Sequence, residues 1–337
     1  MLMITAKYKL SALAILGLLL TACAPVETKE DFFPETQVEK KVDEKVKKSV
    51  DLKKEISKEK QDILILLSSN ASSYKLQADA VSGKLNQPAR IKILSGQPAS
   101  DSRVLNDIKG LKEVTHIVAL GDKAAKAFKN YTGHRVIFAQ VVNYEGAGVV
   151  SETMKGVSAL PSPEKLFRDW KMLSPSLSSV AIVAGKNLDT YLHRAGKAAE
   201  AQGIDLIIEQ VNTDKEFIYK SKNLSPGIEG QWVLPDNRVL SAKSLKEVMS
   251  YASRRGRQLV VFSPKLLSFG GFLYVASDVD SVADSIAQRI NDSTDKSTVP
   301  GNGILPVMNH TMGINRNIAN QLNLNIPQEF QAYVNGQ

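Results

Sequence analysis

Short apolar runs alternate with amphipathic stretches along most of the chain, the pattern of buried parallel strands joined by helices. Ile63–Leu67, Ile91–Leu94, His116–Leu120 and Val136–Ala139 predict four strands. Helices are expected between them, through Leu76–Leu85, behind a cap at Ser100 or Asp101, and after Gly121. A second series begins with helix Pro163–Leu173, strand Ser179–Ala184, helix Leu188–Gln202 ended by Gly203, and strand Ile204–Val211. A helix or loop at Asp214–Lys222, strand Gln231–Leu234, helix Ser241–Arg255 and strand Gln258–Phe262 complete it. Five strands alternating with helices in each half predict an α/β protein of two doubly wound parallel-sheet lobes. The stretch Arg135–Ser158 separates the two series and reads as the hinge passage between lobes, with Gly146 and Gly148 allowing the chain to bend. Asn143 and Tyr144 follow its strand at the carboxyl end, where open α/β sheets place ligands.

The pattern breaks down before residue 62. Lys7 and Lys9, the apolar run Leu10–Leu20 and the small residues closing on Leu20-Thr21-Ala22-Cys23 form a targeting segment, too short to be a membrane span. It resembles a bacterial lipoprotein signal peptide, matching the lipobox at all four positions; the resemblance implies cleavage after residue 22 and a lipid on Cys23. That is the only cysteine, so lipidation leaves a mature chain with neither a catalytic thiol nor a disulfide. Residues 23–61 follow as a charged tether, with ten lysines and ten acidic residues after Ala24. Val38, Val42, Val46 and Val50 recur every fourth position, giving either a thin helical stripe for a partner or a flexible linker. Fully extended, it would reach on the order of 120 Å.

Composition places the rest among ordinary globular proteins: of 337 residues, 43% are apolar and 23% charged. Residues 62–337 carry a surplus of about six basic side chains, compatible with acidic partners, anionic headgroups or a solvated surface. No dense basic run interleaved with aromatics is present, so no nucleic-acid partner is expected.

Candidate chemistry is that of binding. Ser68, Ser69 and Asn70 end the first strand with hydroxyls and a helix start, serving either a ligand's polar group or local caps and turns. Asp122 stands after Gly121 at the expected N-cap, where its carboxylate would take the first amides and favour an ammonium or hydroxyl over an anion. The four histidines, His116, His134, His193 and His310, have no metal-binding spacing, and neither a nucleophile elbow nor a phosphate-binding loop is present. Glu145 and Asp236 are a conceivable carboxylate pair across a cleft, but no enzyme activity, metal or cofactor is expected.

Several segments, in order, resemble a known family: Leu120-Gly121-Asp122-Lys123-Ala124-Ala125, Val136-Ile137-Phe138-Ala139, Gly156-Val157-Ser158 with Pro163-Glu164-Lys165, and Ser179-Val180-Ala181-Ile182-Val183. Leu234-Pro235-Asp236, Val260-Val261-Phe262-Ser263 and Asn320 to Pro327 continue the likeness. Over roughly residues 62–330 the chain is similar to the substrate-binding lipoproteins of ABC transporters, which include binding proteins for tryptophan and other aromatic amino acids. The resemblance implies a type I periplasmic-binding-protein fold in which two lobes, crossed three times, close on a small-molecule ligand such as an amino acid. By that template Phe272–Ser277 returns the chain to the first lobe, helix Val279–Asn291 packs there, and Ile304–Met308 goes back. The implied division is residues 62–155 with about 278–303, and residues 156–277 with about 304–337. Asp236 would accept from a ligand amine or cap a helix, Asn143 and Ser263 would hydrogen-bond, and Tyr144 would stack. Asn187 would contact ligand from the corner after Ala184, which departs from the family pattern, as do those after Gly121 and Val142. Partners would be an ABC permease or another envelope protein, with the N-terminal lipid holding the chain to the inner or outer membrane.

Overall fold

The computed structural model describes residues 62–292 and 302–335. The expected signal segment 1–22, the lipidated Cys23 and the tether through residue 61 lie outside the described residues. In chain order the first series is β1 (Asp62–Leu67), α1 (Ser72–Lys84), β2 (Ala89–Ile93), α2 (Pro98–Gly110), β3 (Val114–Leu120), α3 (Asp122–Ala127), β4 (Arg135–Ala139), α4 (Tyr144–Ala147) and β5 (Met154–Val157). The second is α5 (Pro163–Leu173), β6 (Ser179–Gly185), α6 (Asp189–Glu200), β7 (Asp205–Val211), α7 (Asp214–Lys222), β8 (Gly230–Trp232), α8 (Ala242–Arg254), β9 (Gln258–Val261), a 3-10 turn (Pro264–Phe269) and β10 (Leu273–Ser277). The chain closes with α9 (Val279–Asp292), β11 (Ile304–Leu305), β12 (His310–Asn315), α10 (Arg316–Gln321), a second 3-10 turn (Gln328–Tyr333) and β13 (Val334–Asn335).

The strands form two sheets. The first has six strands in the order β11-β5-β4-β3-β1-β2, the second seven in the order β13-β12-β10-β9-β8-β6-β7. Each half repeats one winding, since 2-1-3-4-5 in the first sheet corresponds to 7-6-8-9-10 in the second. Among the described residues all pairings are parallel except β10 with β12. Both sheets exceed the five strands expected, because β11, β12 and β13 are added at the edges after the windings are complete.

Continuous apolar runs suit strands covered on both faces. In the first lobe, Ile63, Ile65 and Leu67 pack under Val81 of α1 and Val282 and Ile286 of α9. Leu64 and Leu66 point the other way, towards Ile108, Ala124 and Phe128. The second lobe is arranged likewise, with α5 and α6 on one face and α7 and α8 on the other. Helix α5 shows the local logic. Ser162 accepts from the Lys165 amide, Pro163 occupies the first turn, and Leu166, Phe167, Trp170 and Leu173 share the buried face. The Trp170 indole N–H, too costly to bury unpaired, donates to Gln258 at 2.7 Å.

The crossings differ from expectation. Asn143–Gly148 stays in the first lobe: Asn143 and Gly148 cap α4 at its two ends, and Gly148 takes up a left-handed conformation. The chain crosses only after β5, whose Gly156 and Val157 pair with β11 in the first sheet. Phe272–Ser277 does not return to the first lobe, since β10 pairs with β9 and β12; the return follows Ser277, and α9 then packs on α1. Ile304 and Leu305 likewise belong to the first sheet, which moves the third crossing to the residues before His310. His310 pins that crossing to α5, where Asp169 accepts from His310 at 3.0 Å and from Lys165 at 2.6 Å.

Candidate functional site

The carboxyl ends of strands from both sheets meet at one cleft of about 680 Å³. In a 2-1-3-4-5 winding the connections leave the two strands at the reversal on opposite faces, which opens a crevice at their carboxyl ends. The reversal falls between β1 and β3 in the first lobe and between β6 and β8 in the second. The first lobe contributes Tyr74, Gln77, Asp122, Lys126, Gln140 and Asn143; the second contributes Trp232, Asp236, Arg238, Phe262 and Ser263. Ser158, Ser277 and Thr311 line the cleft where the chain crosses.

On the first-lobe wall, Ser68 is buried and already engaged. Its hydroxyl accepts from the Ala124 amide at 2.9 Å and bonds the Tyr74 phenol, whose pKa is raised by burial and by the nearby Asp122 charge. Gly121, at φ +89, makes this junction possible, because a Cβ there would lie 2.5 Å from the Tyr74 oxygen and 2.7 Å from the Ser68 hydroxyl. Gly121 rather than Asp122 occupies the N-cap of α3. With the Ala124 amide held by Ser68, the Asp122 carboxylate turns outward and pairs with Lys126 at 2.6 Å. Ser69 accepts from the Ala71 amide at 3.4 Å and Asn70 is exposed; neither lines the cleft. Asp101 is not a cap either: α2 starts at Pro98, and the Asp101 carboxylate accepts from the amides of Ser95 and Gly96.

Beyond β4, Asn143 caps α4 by accepting from the Gly146 amide at 3.1 Å, and its side chain still lines the cleft. Tyr144 is turned into a neighbouring cavity of about 280 Å³, bounded by Val141, Leu160, Tyr191, Arg194 and Ile304. Burial, with Glu145 beside it, pushes its phenol up to about 12. Glu145 reaches the other lobe: its carboxylate accepts from the amides of Asp189 at 3.1 Å and Thr190 at 3.2 Å. Those amides open α6, whose own N-cap, Leu188, makes no side-chain bond. One lobe thereby caps a helix of the other.

On the second-lobe wall, Asp236 is 2% exposed and its carboxylate is fully engaged. Arg238 donates to it from Nε at 2.8 Å and Nη2 at 2.6 Å, and the Gly185 amide from 3.1 Å. Arg238 also donates to the Lys186 carbonyl at 2.6 Å, tying the two corners at the reversal together. Asn187 sits in that corner at φ +63, exposed and outside the cleft lining. Ser263 caps the 3-10 turn after β9 and faces the cleft beside Phe262. Trp232 lies at its floor, edge-on to Phe167 at 5.7 Å and Tyr191 at 6.0 Å.

Of the residues expected at a ligand, the cleft brings together Asp122, Asn143, Asp236 and Ser263. Ser68 stands behind its wall, Tyr144 lines the second cavity, and Ser69, Asn70 and Asn187 stay outside. The Glu145 and Asp236 carboxylates are not brought together in the cleft: only Asp236 lines it, and each is held by amides or a guanidinium of its own. Among the described residues no group of three His, Cys, Asp or Glu side chains is placed to hold a metal.

Sequence reasoning missed Arg238, Tyr74, Gln140 and Ser277. Arg238 was detectable, two residues from Asp236 in a turn-forming Pro-Asp-Asn-Arg corner. Gln140 and Ser277 stand out only in three dimensions. Gln140 Oε1 and Ser277 Oγ are buried without a hydrogen-bond partner, and Gln140 adopts φ +57, unfavourable for a side chain of its size.

No protein-family model matches the chain, and no curated protein matches it. Solved structures do. An ABC domain from Streptococcus pneumonia in complex with L-Trp shares 18% identity, covers 82% of this chain and 99% of its own, and gives a TM-score of 0.57. A ligand-free, open substrate-binding protein with adhesive properties from Clostridium difficile shares 14% identity at TM-score 0.62, covering 82% of this chain and 99% of its own. A conserved domain protein from Vibrio cholerae shares 16% identity at TM-score 0.56, covering 82% of this chain and 98% of its own. The fold is that of the type I periplasmic binding proteins.

Proposed function

We propose that the protein is a lipid-anchored solute-binding protein that captures a small polar or aromatic solute between its lobes and presents it to an ABC permease. The observation that carries this reading is the cleft itself. It lies at the strand reversals of two sheets, is bounded by rings of Tyr74, Trp232, Phe262 and Tyr274, and holds buried polar atoms on Gln140 and Ser277 that lack partners within the protein. Three crossings between the lobes permit hinge closure around a ligand. Anchoring through Cys23 at the inner or outer membrane, facing the periplasm, rests on the lipobox; no helix among the described residues is long and apolar enough to span a membrane.

A second reading, in which an envelope lipoprotein uses the same fold to engage a protein partner, is favoured by the Glu145 bond to α6, which ties the lobes together through the protein's own groups. Thermal-shift screening of the full chain against amino acids, nucleosides, sugars and oligopeptides separates the two. Stabilisation by one class supports capture; no stabilisation by any of them refutes it and leaves the partner-binding reading.

A further inference from the structure

Among the described residues the cleft lining contains four charged side chains, and they pair within each lobe. Asp122 pairs with Lys126 at 2.6 Å on the first-lobe wall, and Asp236 pairs with Arg238 at 2.6 Å on the second. Asp236 has no further capacity for a ligand cation, since Gly185 and the Arg238 backbone amide also donate to it. An ion reaching the buried Asp236–Arg238 side of this space would lose its hydration without a free counter-charge in return, whereas an uncharged solute gives up only the weaker hydration of its polar groups. The polar groups with unmet demand are neutral. Among the described residues, Gln140 Oε1, just after β4, and Ser277 Oγ, at the end of β10, are the cleft-lining side-chain atoms that are buried and unpaired. Their demand is met by a ligand N–H or O–H. The left-handed backbone at Gln140 is a further cost at the same residue, of the kind that clusters at ligand clamps. Around these atoms stand Tyr74, Trp232, Phe262 and Tyr274, which supply flat apolar surface.

Resting on the solute-binding reading above, we infer that the ligand is an uncharged, ring-shaped solute rich in hydrogen-bond donors, of the nucleoside or neutral-sugar kind, held by Gln140 Oε1 and Ser277 Oγ rather than by an ion pair. A free amino acid, a nucleotide or a sugar phosphate falls outside this class.

The test is isothermal titration of the full chain with charge-matched pairs: adenosine against adenosine monophosphate, guanosine against its monophosphate, glucose and galactose against their 6-phosphates, and N-acetyltryptophanamide against tryptophan. The expected result is binding of a neutral member at least tenfold tighter than its charged counterpart. Gln140→Gly, which removes the acceptor and suits the left-handed backbone, should keep or raise the melting temperature while weakening that ligand at least fivefold. Tighter binding of tryptophan or of any phosphate, or unchanged affinity in Gln140→Gly, overturns this inference but leaves solute capture standing. Failure of every compound, together with failure of the broader screen, overturns both.

Discussion

The bond from Glu145 to the start of α6 offers a direct test of how the lobes are held. Its carboxylate accepts from two amides of the opposite lobe, Asp189 at 3.1 Å and Thr190 at 3.2 Å. When the lobes part, water replaces the carboxylate at those amides, so only the net value of the cap is lost. A side-chain cap contributes about 0.5–2 kcal/mol, and a charge at a helix N-terminus about 0.3–1 kcal/mol where partly exposed. Taking about 1 kcal/mol, Glu145→Ala should shift the equilibrium between this lobe arrangement and a more open one about fivefold. Glu145→Gln, which keeps one acceptor but no charge, should fall between wild type and Glu145→Ala. High salt should narrow the gap between wild type and Glu145→Gln, because only the charge–dipole part is screened. Spin labels at exposed Lys129 and Lys197, one on each lobe, report the populations as a distance distribution. Identical distributions for wild type and Glu145→Ala would refute the argument, as would an effect insensitive to the order carboxylate, amide, methyl.

Other consequences concern stability. Breaking the Asp236–Arg238 pair strands a buried carboxylate, so Arg238→Ala should cost about 3 kcal/mol in urea unfolding. Adding Asp236→Asn should recover part of that loss, and strict additivity of the two changes would contradict the coupling. Gly185→Ala puts a Cβ against the Asp236 carboxylate and 2.8 Å from Arg238 Nη2, and should destabilise by a similar amount; a neutral effect would show that the corner yields. His116 is buried against Arg135, and burial with that positive neighbour lowers its pKa to about 4. The unfolded chain therefore takes up this proton first as pH falls, so stability is retained above about 6.5 and lost progressively down to about 4. The loss is at most roughly 3 kcal/mol, and His116→Gln should flatten the slope of unfolding free energy between those limits. An unchanged slope would exclude His116 as its source.

How far the sequence discloses the molecule depends on what each segment packs against. Strands β1, β3 and β4 are buried on both faces, and their unbroken apolar runs announce them. Helix α5 was legible to the residue because Ser162-Pro163 starts it and its buried face repeats with helical period. The crossings were not legible. β5 is Met-Lys-Gly-Val and β11 is Ile-Leu, too short to carry a pattern, and their place in the first sheet is set by β4 and by each other. Asp122 was misplaced by one position because Ser68, far away in sequence, had already taken the amide an N-cap would have served. Asp236 lines the cleft because it follows a strand at its carboxyl end. Its engagement by Arg238 and the Gly185 amide depends on two corners meeting across the β6–β8 reversal, which residue order alone does not express.

The pairing of charges within each lobe also bears on how a ligand arrives. Charges that cancel over a few ångströms project little field beyond the cleft mouth, so a solute is not drawn in from a distance. Under the solute-binding function proposed above, capture would proceed at the pace of diffusion and orientation, with an association rate that hardly changes with ionic strength. Under that proposal, filling of the cleft would stay steady when the salt around the protein does not.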